Sequence, residues 1–146
     1  MRPTPHFRSD YPVFLPVPLR WNDNDTYGHV NNAVYYELFD TAVNRWLVGE
    51  GLLDVAGSDV IGLVVETGCS FFAPVKFPDA VDVGLRVGRV GNSSVTYELG
   101  VFAQGADTAA AQGRFVHVYV GRGARRPVSL SAEMVEKLEV LKNFPR

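Results

Sequence analysis

The stretch from Arg20 to Tyr36, "RWNDNDTYGHVNNAVYY", places a polar loop directly before the most hydrophobic helical pattern of the chain. From Val30 to about Val48, apolar side chains recur at helical spacing, at positions Tyr35, Leu38, Phe39, Ala42 and Trp46. That spacing is typical of one continuous stripe along an α-helix. The stripe is widened by Val34, Val43 and Leu47, so little of this helix can face water.

The segments around this helix show the period-two alternation of β-strands. Before the loop, residues 12–21 ("PVFLPVPLRW") are predicted to be extended, at a sheet edge or a strand start, because of their prolines. After the helix, strands are predicted within 59–75, 81–87, 95–101 and 115–120. The short turns "GNSS" and "GADT" separate the last three strands, which is typical of antiparallel hairpins.

The order of these elements predicts the fold class. A final segment, "SLSAEMVEKLEVLKNF", is predicted to be a short helix capped by Ser131. A strand, a long buried helix, several antiparallel strands and a short helix together predict an α+β fold, with a curved sheet wrapped around the long helix. Because the chain has no repeats and no linker, residues 1–146 are predicted to form a single domain. A sheet with one covered face also makes dimerisation an expectation.

The composition excludes several classes of protein. A net charge of -2 gives no electrostatic footprint for nucleic acid. No apolar window approaches 18 residues, so neither a membrane span nor a membrane partner is expected. Prolines and charges interrupt any N-terminal signal core, which makes a cytoplasmic location the default expectation. The single Cys69 fits a reducing compartment, and its apolar neighbours predict a core residue rather than a nucleophile.

The helix entry Asp25-Thr26-Tyr27-Gly28-His29-Val30-Asn31-Asn32, followed by Tyr35, resembles the signature of hot-dog-fold acyl-CoA thioesterases of the 4-hydroxybenzoyl-CoA thioesterase type. The later stretch "FFAPVKFPDAVDVGLRVGRVGNSSVTYELGVF" is similar to the strand region of the same family, and the likeness covers roughly residues 15–122. The resemblance implies a helix wrapped by a five- or six-stranded sheet, assembled as a homodimer or homotetramer with active sites at subunit interfaces. This chain departs from the family at Asp40, where a Glu is common, and at Val43, near a frequent basic position.

The resemblance also implies a reaction, the hydrolysis of an acyl-CoA or acyl-carrier thioester. Hydrolysis requires a base or nucleophile on one side of the carbonyl carbon and hydrogen-bond donors for its oxygen. The N-terminus of a helix provides unpaired N–H groups and the positive end of a dipole. By position in the motif, Asp25 is assigned as nucleophile or general base, and the backbone amide of Asn32 as the oxyanion donor. No metal and no cofactor are expected, with coenzyme A entering only as part of substrate and product.

Other residues of the motif are assigned to substrate binding: Gly28, His29 and Tyr35. Gly28 is expected to permit a positive φ or a close backbone approach. His29 could orient the carboxylate or bind substrate, with a capping or packing role as the alternative. Asp23 is interpreted as turn chemistry, since Asp is common before helices.

Three residues outside the loop complete the candidate site: Glu66, Ser93 and Ser94. Glu66 lies in an otherwise apolar strand, and a role in the acyl pocket of a neighbouring subunit is the hypothesis for it. The two serines resemble the hairpin serines of the family and could contact pantetheine or nucleotide, with a turn role as the alternative. Basic residues are candidates for the phosphates of coenzyme A, namely Arg122, Arg125, Arg126, Lys76, Arg86 and Arg89.

Other activities remain as alternatives. A hot-dog hydratase or dehydratase would pair a His with an acid, here His29 with Glu37 or Glu66, although the His-Phe-Pro-Gly type of helix entry is absent. A non-catalytic acyl-CoA binding module is the second alternative. A serine hydrolase is disfavoured because the chain has no Gly-x-Ser-x-Gly, and a metal hydrolase because His6, His29 and His117 lie far apart.

Overall fold

The computed structural model describes residues 3–144. In chain order its elements are β1 (Val13–Pro18), α1 (Val34–Gly49), β2 (Val60–Phe71), β3 (Ala80–Val90), β4 (Ser94–Ala103), β5 (Ala111–Gly121) and α2 (Ala132–Lys142). Two short 3-10 turns precede β1 and α1, at Arg8–Asp10 and Trp21–Asp23. Ser131 caps α2 as predicted, since its hydroxyl accepts the Met134 amide at 3.2 Å.

The five strands form one antiparallel sheet in the order β1-β3-β4-β5-β2. The long helix α1 packs on one face of this sheet, and its seven buried residues are Tyr35, Leu38, Phe39, Ala42, Val43, Trp46 and Leu47. They share one core cluster with alternate residues of the strands and with the apolar side of α2. The predicted α+β hot-dog fold, a long central helix wrapped by a five- or six-stranded antiparallel sheet, is therefore confirmed, and the sheet has five strands.

The helix begins later than its apolar pattern predicted. Val30 is not helical: its amide donates to the Val75 carbonyl at 2.9 Å, and it forms an isolated antiparallel bridge with Asn24. The regular helix starts at Val34, after a turn in which the Val34 amide donates to the Asn31 carbonyl. The burial of Val30 therefore comes from pairing with a distant segment rather than from helical periodicity.

The face of the sheet opposite α1 is covered in part by the N-terminal segment. Tyr11 is buried there with Phe102 and Ala109. A Cβ at Gly84 or Gly100 would lie 2.8 or 2.9 Å from the Tyr11 ring. The two glycines therefore form a recess for this ring, because any side chain there would occupy its place.

Two side chains of β2 were singled out from the sequence. Cys69 is half-buried and packs against the core, and burial raises the pKa of its thiol to about 12, which suits a packing residue. Glu66 is exposed in the single chain, and its carboxylate accepts from Arg114 Nε at 2.7 Å, so its role at a neighbouring subunit stays a prediction. It lies beside a β-bulge between Val64 and Glu66 in β2. No helix within residues 3–144 is long and apolar enough to cross a membrane.

Candidate active site

The loop before α1 folds back on itself through its own backbone. The Asp25 amide donates to the His29 carbonyl at 2.9 Å, and the Gly28 amide donates to the Asp25 carbonyl at 3.2 Å. Gly28 has a φ of +87° with no atom near the position of a Cβ, so the glycine is needed for backbone conformation and not for close packing. This tight turn fixes where the side chain of Asp25 leaves the backbone.

The carboxylate of Asp25 is half-buried and only partly used by the loop. Its Oδ1 accepts the Tyr27 amide at 2.8 Å, the hydrogen bond of an Asx turn. Within residues 3–144, no ion pair reaches this carboxylate and no donor bonds its Oδ2. One oxygen therefore positions the side chain while the other remains open to a ligand.

Asp23 has a different role from Asp25, although the two lie only two residues apart. Asp23 is 3% exposed, and its carboxylate accepts from the Arg20 amide at 2.7 Å and the Arg20 guanidinium at 2.8 Å. These contacts raise the pKa of Arg20, mainly through its hydrogen bond to Asp23. The Asp23 carbonyl also accepts the Asn31 amide at 2.9 Å. Asp23 therefore holds the loop against the start of α1, as its interpretation as turn chemistry predicted.

The first amides of the helix entry are paired with one exception. The Ala33 amide donates to Asn31 Oδ1 at 2.9 Å, and the Val34 amide donates to the Asn31 carbonyl at 2.9 Å. Along the described chain, the amide of Asn32 makes no hydrogen bond. Of the three amides from Asn31 to Ala33, the unpaired one thus belongs to Asn32, the residue assigned from the motif.

The loop separates two adjacent depressions on the surface. One, of about 670 Å³, is lined by Asp25, Trp21, Tyr27, Gly28 and Asn31 together with neighbouring polar residues. The other, of about 280 Å³, is lined by Asn32, His29, Tyr35, Phe71, Phe72 and Val30, with Ala73 and Pro74. The boundary falls between Asn31 and Asn32, which are adjacent in the chain. A ligand that reaches both Asp25 and Asn32 must therefore cross this boundary.

Two aromatic residues of the second depression form a wall by packing against each other. Tyr35 is 2% exposed, and its ring meets that of Phe71 edge to face, with centroids 5.1 Å apart. Burial raises the pKa of the Tyr35 phenol to about 12, so the hydroxyl stays neutral at physiological pH. His29 lies beside this wall, half-buried, with Nδ1 at 3.5 Å from the Val30 carbonyl.

The remaining candidates lie elsewhere in the chain. Ser93 and Ser94 follow β3, whereas the loop follows Pro18, which pairs with Ala80 at the start of β3. An 11-residue strand spans roughly 35 Å, so this hairpin and the loop lie at opposite ends of the sheet. The Ser93 carbonyl accepts the Tyr119 amide at 2.7 Å, which ties the hairpin to β5.

Some of the other charged residues have structural partners. Glu37 pairs with Arg20 at 3.4 Å, and Asp40 accepts from the Asn44 amide group at 2.9 Å.

Arg86 is buried and bonds Glu98 at 2.7 Å, so its proposed contact with coenzyme A phosphates is wrong. Arg122 donates to the carbonyls of Ser58 and Val55, which commits it to the loop before β2. Within residues 3–144, no group of acidic, His or Cys side chains is arranged to hold a metal ion.

A separate, partly open cavity of about 150 Å³ lies at the other end of α1, lined mainly by apolar residues such as Leu47, Leu53 and Met134. Its one aromatic hydroxyl, that of Tyr119, bonds Tyr97 at 2.7 Å and His117 Nδ1 at 3.0 Å. This phenol network is buried and belongs to the core.

Sequence reasoning passed over two residues of the first depression. Trp21 and Tyr27 are 80% and 84% exposed, although both are large aromatic side chains. The available signal was their position, one on each side of Asp25 in a polar loop that offers no apolar pattern to bury them.

Comparison with known proteins agrees with this architecture. The model of the thioesterase-like superfamily matches residues 19–138. The PA5185 protein from Pseudomonas aeruginosa strain PAO1 is 50% identical, with 98% of this chain and 100% of that chain covered and a TM-score of 0.94. The PA2801 protein from Pseudomonas aeruginosa is 28% identical, with 86% and 96% covered and a TM-score of 0.79. A 1,4-dihydroxy-2-naphthoyl-CoA thioesterase from Synechocystis is 18% identical, with 90% and 98% covered and a TM-score of 0.78, a likeness of fold alone. No curated protein matches this sequence.

The strand order and the family match place this chain among the hot-dog enzymes that hydrolyse thioesters. It belongs to the thioesterase-like superfamily. The family resemblance and the enzyme class predicted from the helix-entry motif are therefore confirmed.

Proposed function

We propose that this enzyme hydrolyses an acyl-CoA or acyl-carrier thioester to the free acid and thiol, with Asp25 as nucleophile or general base and the Asn32 amide as oxyanion donor. The observation that carries the proposal is the unpaired Asn32 amide at the entry of α1, in the same loop as a carboxylate with one open oxygen. A donor aimed at a developing oxyanion in a fixed position stabilises the transition state without reorganisation.

The chemistry requires little more than these two groups. The thioester oxygen accepts from the Asn32 amide, near the positive end of the α1 dipole. Asp25 either attacks the carbonyl carbon, giving a mixed anhydride that water cleaves, or removes a proton from the attacking water. In both routes the carbon–sulfur bond breaks and the thiolate leaves with the electron pair. Coenzyme A is a product in this scheme, and no cofactor takes part.

The assembly we propose is at least a homodimer formed along β2. This edge strand has 12 residues and no proline, and its exposed valines include Val64 and Val65, at 45% and 60%. The opposite edge, β1, carries Pro16 and Pro18, which block strand addition. Since the Ser93–Ser94 hairpin is remote from the loop of its own chain, it can contact coenzyme A only at the loop of a second copy.

The geometry disfavours the hydratase alternative. A hydratase would need an acid bonded to His29, but across the described residues no carboxylate bonds this ring. The two acids considered for that role, Glu37 and Glu66, pair with Arg20 and Arg114 instead. A soluble acyl-CoA substrate also suits the cytoplasmic location expected from the sequence.

The test is free-thiol release from short, long and aromatic acyl-CoAs by wild type and Asp25→Asn. The substitution is expected to lower kcat/KM by at least about a hundredfold, because it removes both basicity and nucleophilicity. Asp40→Asn is the matched control and should leave turnover unchanged, since among residues 3–144 the exposed Asp40 carboxylate bonds only Asn44, within α1. Full activity in Asp25→Asn would contradict the assignment, and saturable binding without turnover by wild type would favour the binding module.

A further inference from the structure

Two exposed aromatic side chains flank the proposed catalytic carboxylate. Among the exposed large apolar residues that the structure describes, Tyr27 and Trp21 are the most exposed, at 84% and 80%. Tryptophan in a folded domain is normally well buried, so an almost bare indole next to a polar loop suggests a ligand. Neither residue belongs to the core clusters of the protein.

The indole of Trp21 is exposed but held in place. Its ring meets Phe77 edge to face, with centroids 5.9 Å apart and planes 88° apart. The Phe77 amide donates to Asn24 Oδ1 at 3.1 Å, which joins the segment before β3 to the loop. The 3-10 turn that carries Trp21 ends at the buried Asp23. The side chain is thus presented by a fixed backbone, as binding without a large ordering cost requires.

Tyr27 is tied directly to the proposed catalytic group. Its amide donates to Asp25 Oδ1 at 2.8 Å, so the phenol ring and the carboxylate leave the same short turn. Trp21, Tyr27 and Asp25 all line the depression of about 670 Å³. The other side chains that line it are neutral and polar: Asn22, Asn24, Thr26 and Asn31. Two aromatic faces among amides and hydroxyls suit a flat ring that carries polar groups.

We propose that Trp21 and Tyr27 form a stacking surface for a planar ring of the thioester substrate and determine preference for substrates that carry one. This inference rests on the proposed function, because the ring must belong to a molecule whose carbonyl reaches Asp25. Two parts of such a molecule have the required chemistry, an aromatic acyl group and the adenine of coenzyme A. Both would contact the indole face, and they can be told apart by separating the acyl group from the thiol.

The kinetic test uses four substrates: benzoyl and butyryl thioesters, each made with coenzyme A and with N-acetylcysteamine, which has no adenine. Trp21→Ala is expected to lower kcat/KM about tenfold or more for ring-bearing substrates only, the size typical of one lost stacking contact. Loss confined to both benzoyl esters identifies the acyl ring, and loss confined to both coenzyme A esters identifies adenine. Trp21→Phe should restore most of the activity.

The binding test does not depend on turnover. The chain has two tryptophans, so Trp46→Phe leaves Trp21 as the only indole. This variant is titrated with coenzyme A and with a non-hydrolysable S-benzyl thioether of N-acetylcysteamine. The readout is the quenching of Trp21 fluorescence by iodide. At least one probe should protect Trp21 from iodide, and Tyr27→Ala should weaken that protection while the exposed Phe7→Ala control leaves it unchanged.

Several outcomes would overturn the inference. An equal loss of kcat/KM on all four substrates in Trp21→Ala would show that Trp21 only holds the loop. No loss on any substrate would show that its ring does not contact the substrate. Iodide protection that follows protein concentration rather than ligand would mean that a second copy covers the ring. If wild type hydrolyses none of the thioesters but ligand still protects Trp21, the proposed function fails and the stacking surface stands.

Discussion

Asp25 and Asn32 contribute to the proposed site through different atoms. The side chain of Asp25 offers an open carboxylate oxygen, whereas Asn32 offers its backbone amide and points an exposed side chain to solvent. The neighbouring Asn31 acts in the opposite sense, because its side-chain oxygen pairs the Ala33 amide and its carbonyl pairs Val34. Asn32 is thus proposed to act through its backbone, whereas Asn31 stabilises the start of α1, and substitutions can distinguish the two roles.

Asn32→Ala is expected to retain kcat/KM within about threefold, because alanine preserves the backbone N–H that we propose as oxyanion donor. Steady-state thiol release measures this directly. Asn31→Ala is the companion variant, and it should lower the free energy of unfolding by about 1 kcal/mol, because the Ala33 amide loses its hydrogen bond to Asn31 Oδ1. A large loss of kcat in Asn32→Ala with intact folding would assign the role to the side chain instead.

At the scale of elements, β3 and β4 are shaped by what lies on their outer face. Gly84 and Gly100 leave room for Tyr11, whose ring also faces the Arg86 guanidinium at 5.1 Å from the ring centroid. Arg86 in turn bonds Glu98 at 2.7 Å. The N-terminal segment is therefore part of the fold, held by packing as well as by charge.

Gly100→Ala is expected to destabilise the protein by about 1–3 kcal/mol, because the new Cβ would lie 2.9 Å from the Tyr11 and Phe102 rings. Chemical denaturation measures the loss. Gly123→Ala is a matched control, since nothing lies within 4 Å of its Cβ position, and it should change stability by less than about 0.5 kcal/mol. Equal effects of the two substitutions would show that the recess for Tyr11 is not tight.

At the scale of the whole molecule, stability is expected to fall in acid because of one buried histidine. His117 is 1% exposed, and burial lowers the pKa of its imidazole from 6.5 to about 4. The facing groups are the rings of Phe115, Tyr97 and Tyr119, and burial raises the pKa of both phenols, so none of them carries compensating charge. The folded protein therefore keeps this imidazole neutral.

Since the folded pKa lies below the unfolded one, the unfolded chain binds the extra proton as pH falls from about 6.5 to about 4, and this stabilisation is lost across that window. The expected loss is about 2 kcal/mol between pH 7 and pH 5. His117→Gln should flatten that part of the stability–pH curve from denaturant unfolding. An unchanged slope in the variant would contradict the assignment.

The homodimer proposed along β2 can also be tested at the scale of the whole molecule. Val65 is the residue of the β2 bulge that has no register partner on β5, and it is 60% exposed. Val65→Lys is expected to raise the dimer dissociation constant at least about tenfold, because a charged side chain on an edge opposes strand pairing. Val140→Lys, on a valine of α2 that is 67% exposed, should leave it unchanged. Size-exclusion chromatography with light scattering measures the dissociation constants of both variants. A dimer that persists in Val65→Lys would show that the interface lies on another surface.

The sequence by itself determined the central helix, the strands, the family and the position of the helix-entry motif. Those features depend on local periodicity and on the types of neighbouring residues, which can be seen without knowing the fold. The sequence also indicated that Gly28 would adopt a special backbone conformation, as its φ of +87° confirms. In each case the information lies within a few residues of the position concerned.

Only the tertiary structure decided where α1 begins, which amide remains unpaired and which candidates lie near the loop. Val30 is not helical because its amide donates to the Val75 carbonyl. The Asn31 amide is paired because it donates to the Asp23 carbonyl. The remoteness of Ser93 depends on the direction in which β3 runs. The start of α1 and the remoteness of Ser93 come from hydrogen bonds and strand register between segments far apart in the chain, and no local pattern encodes which distant partner a backbone group will find.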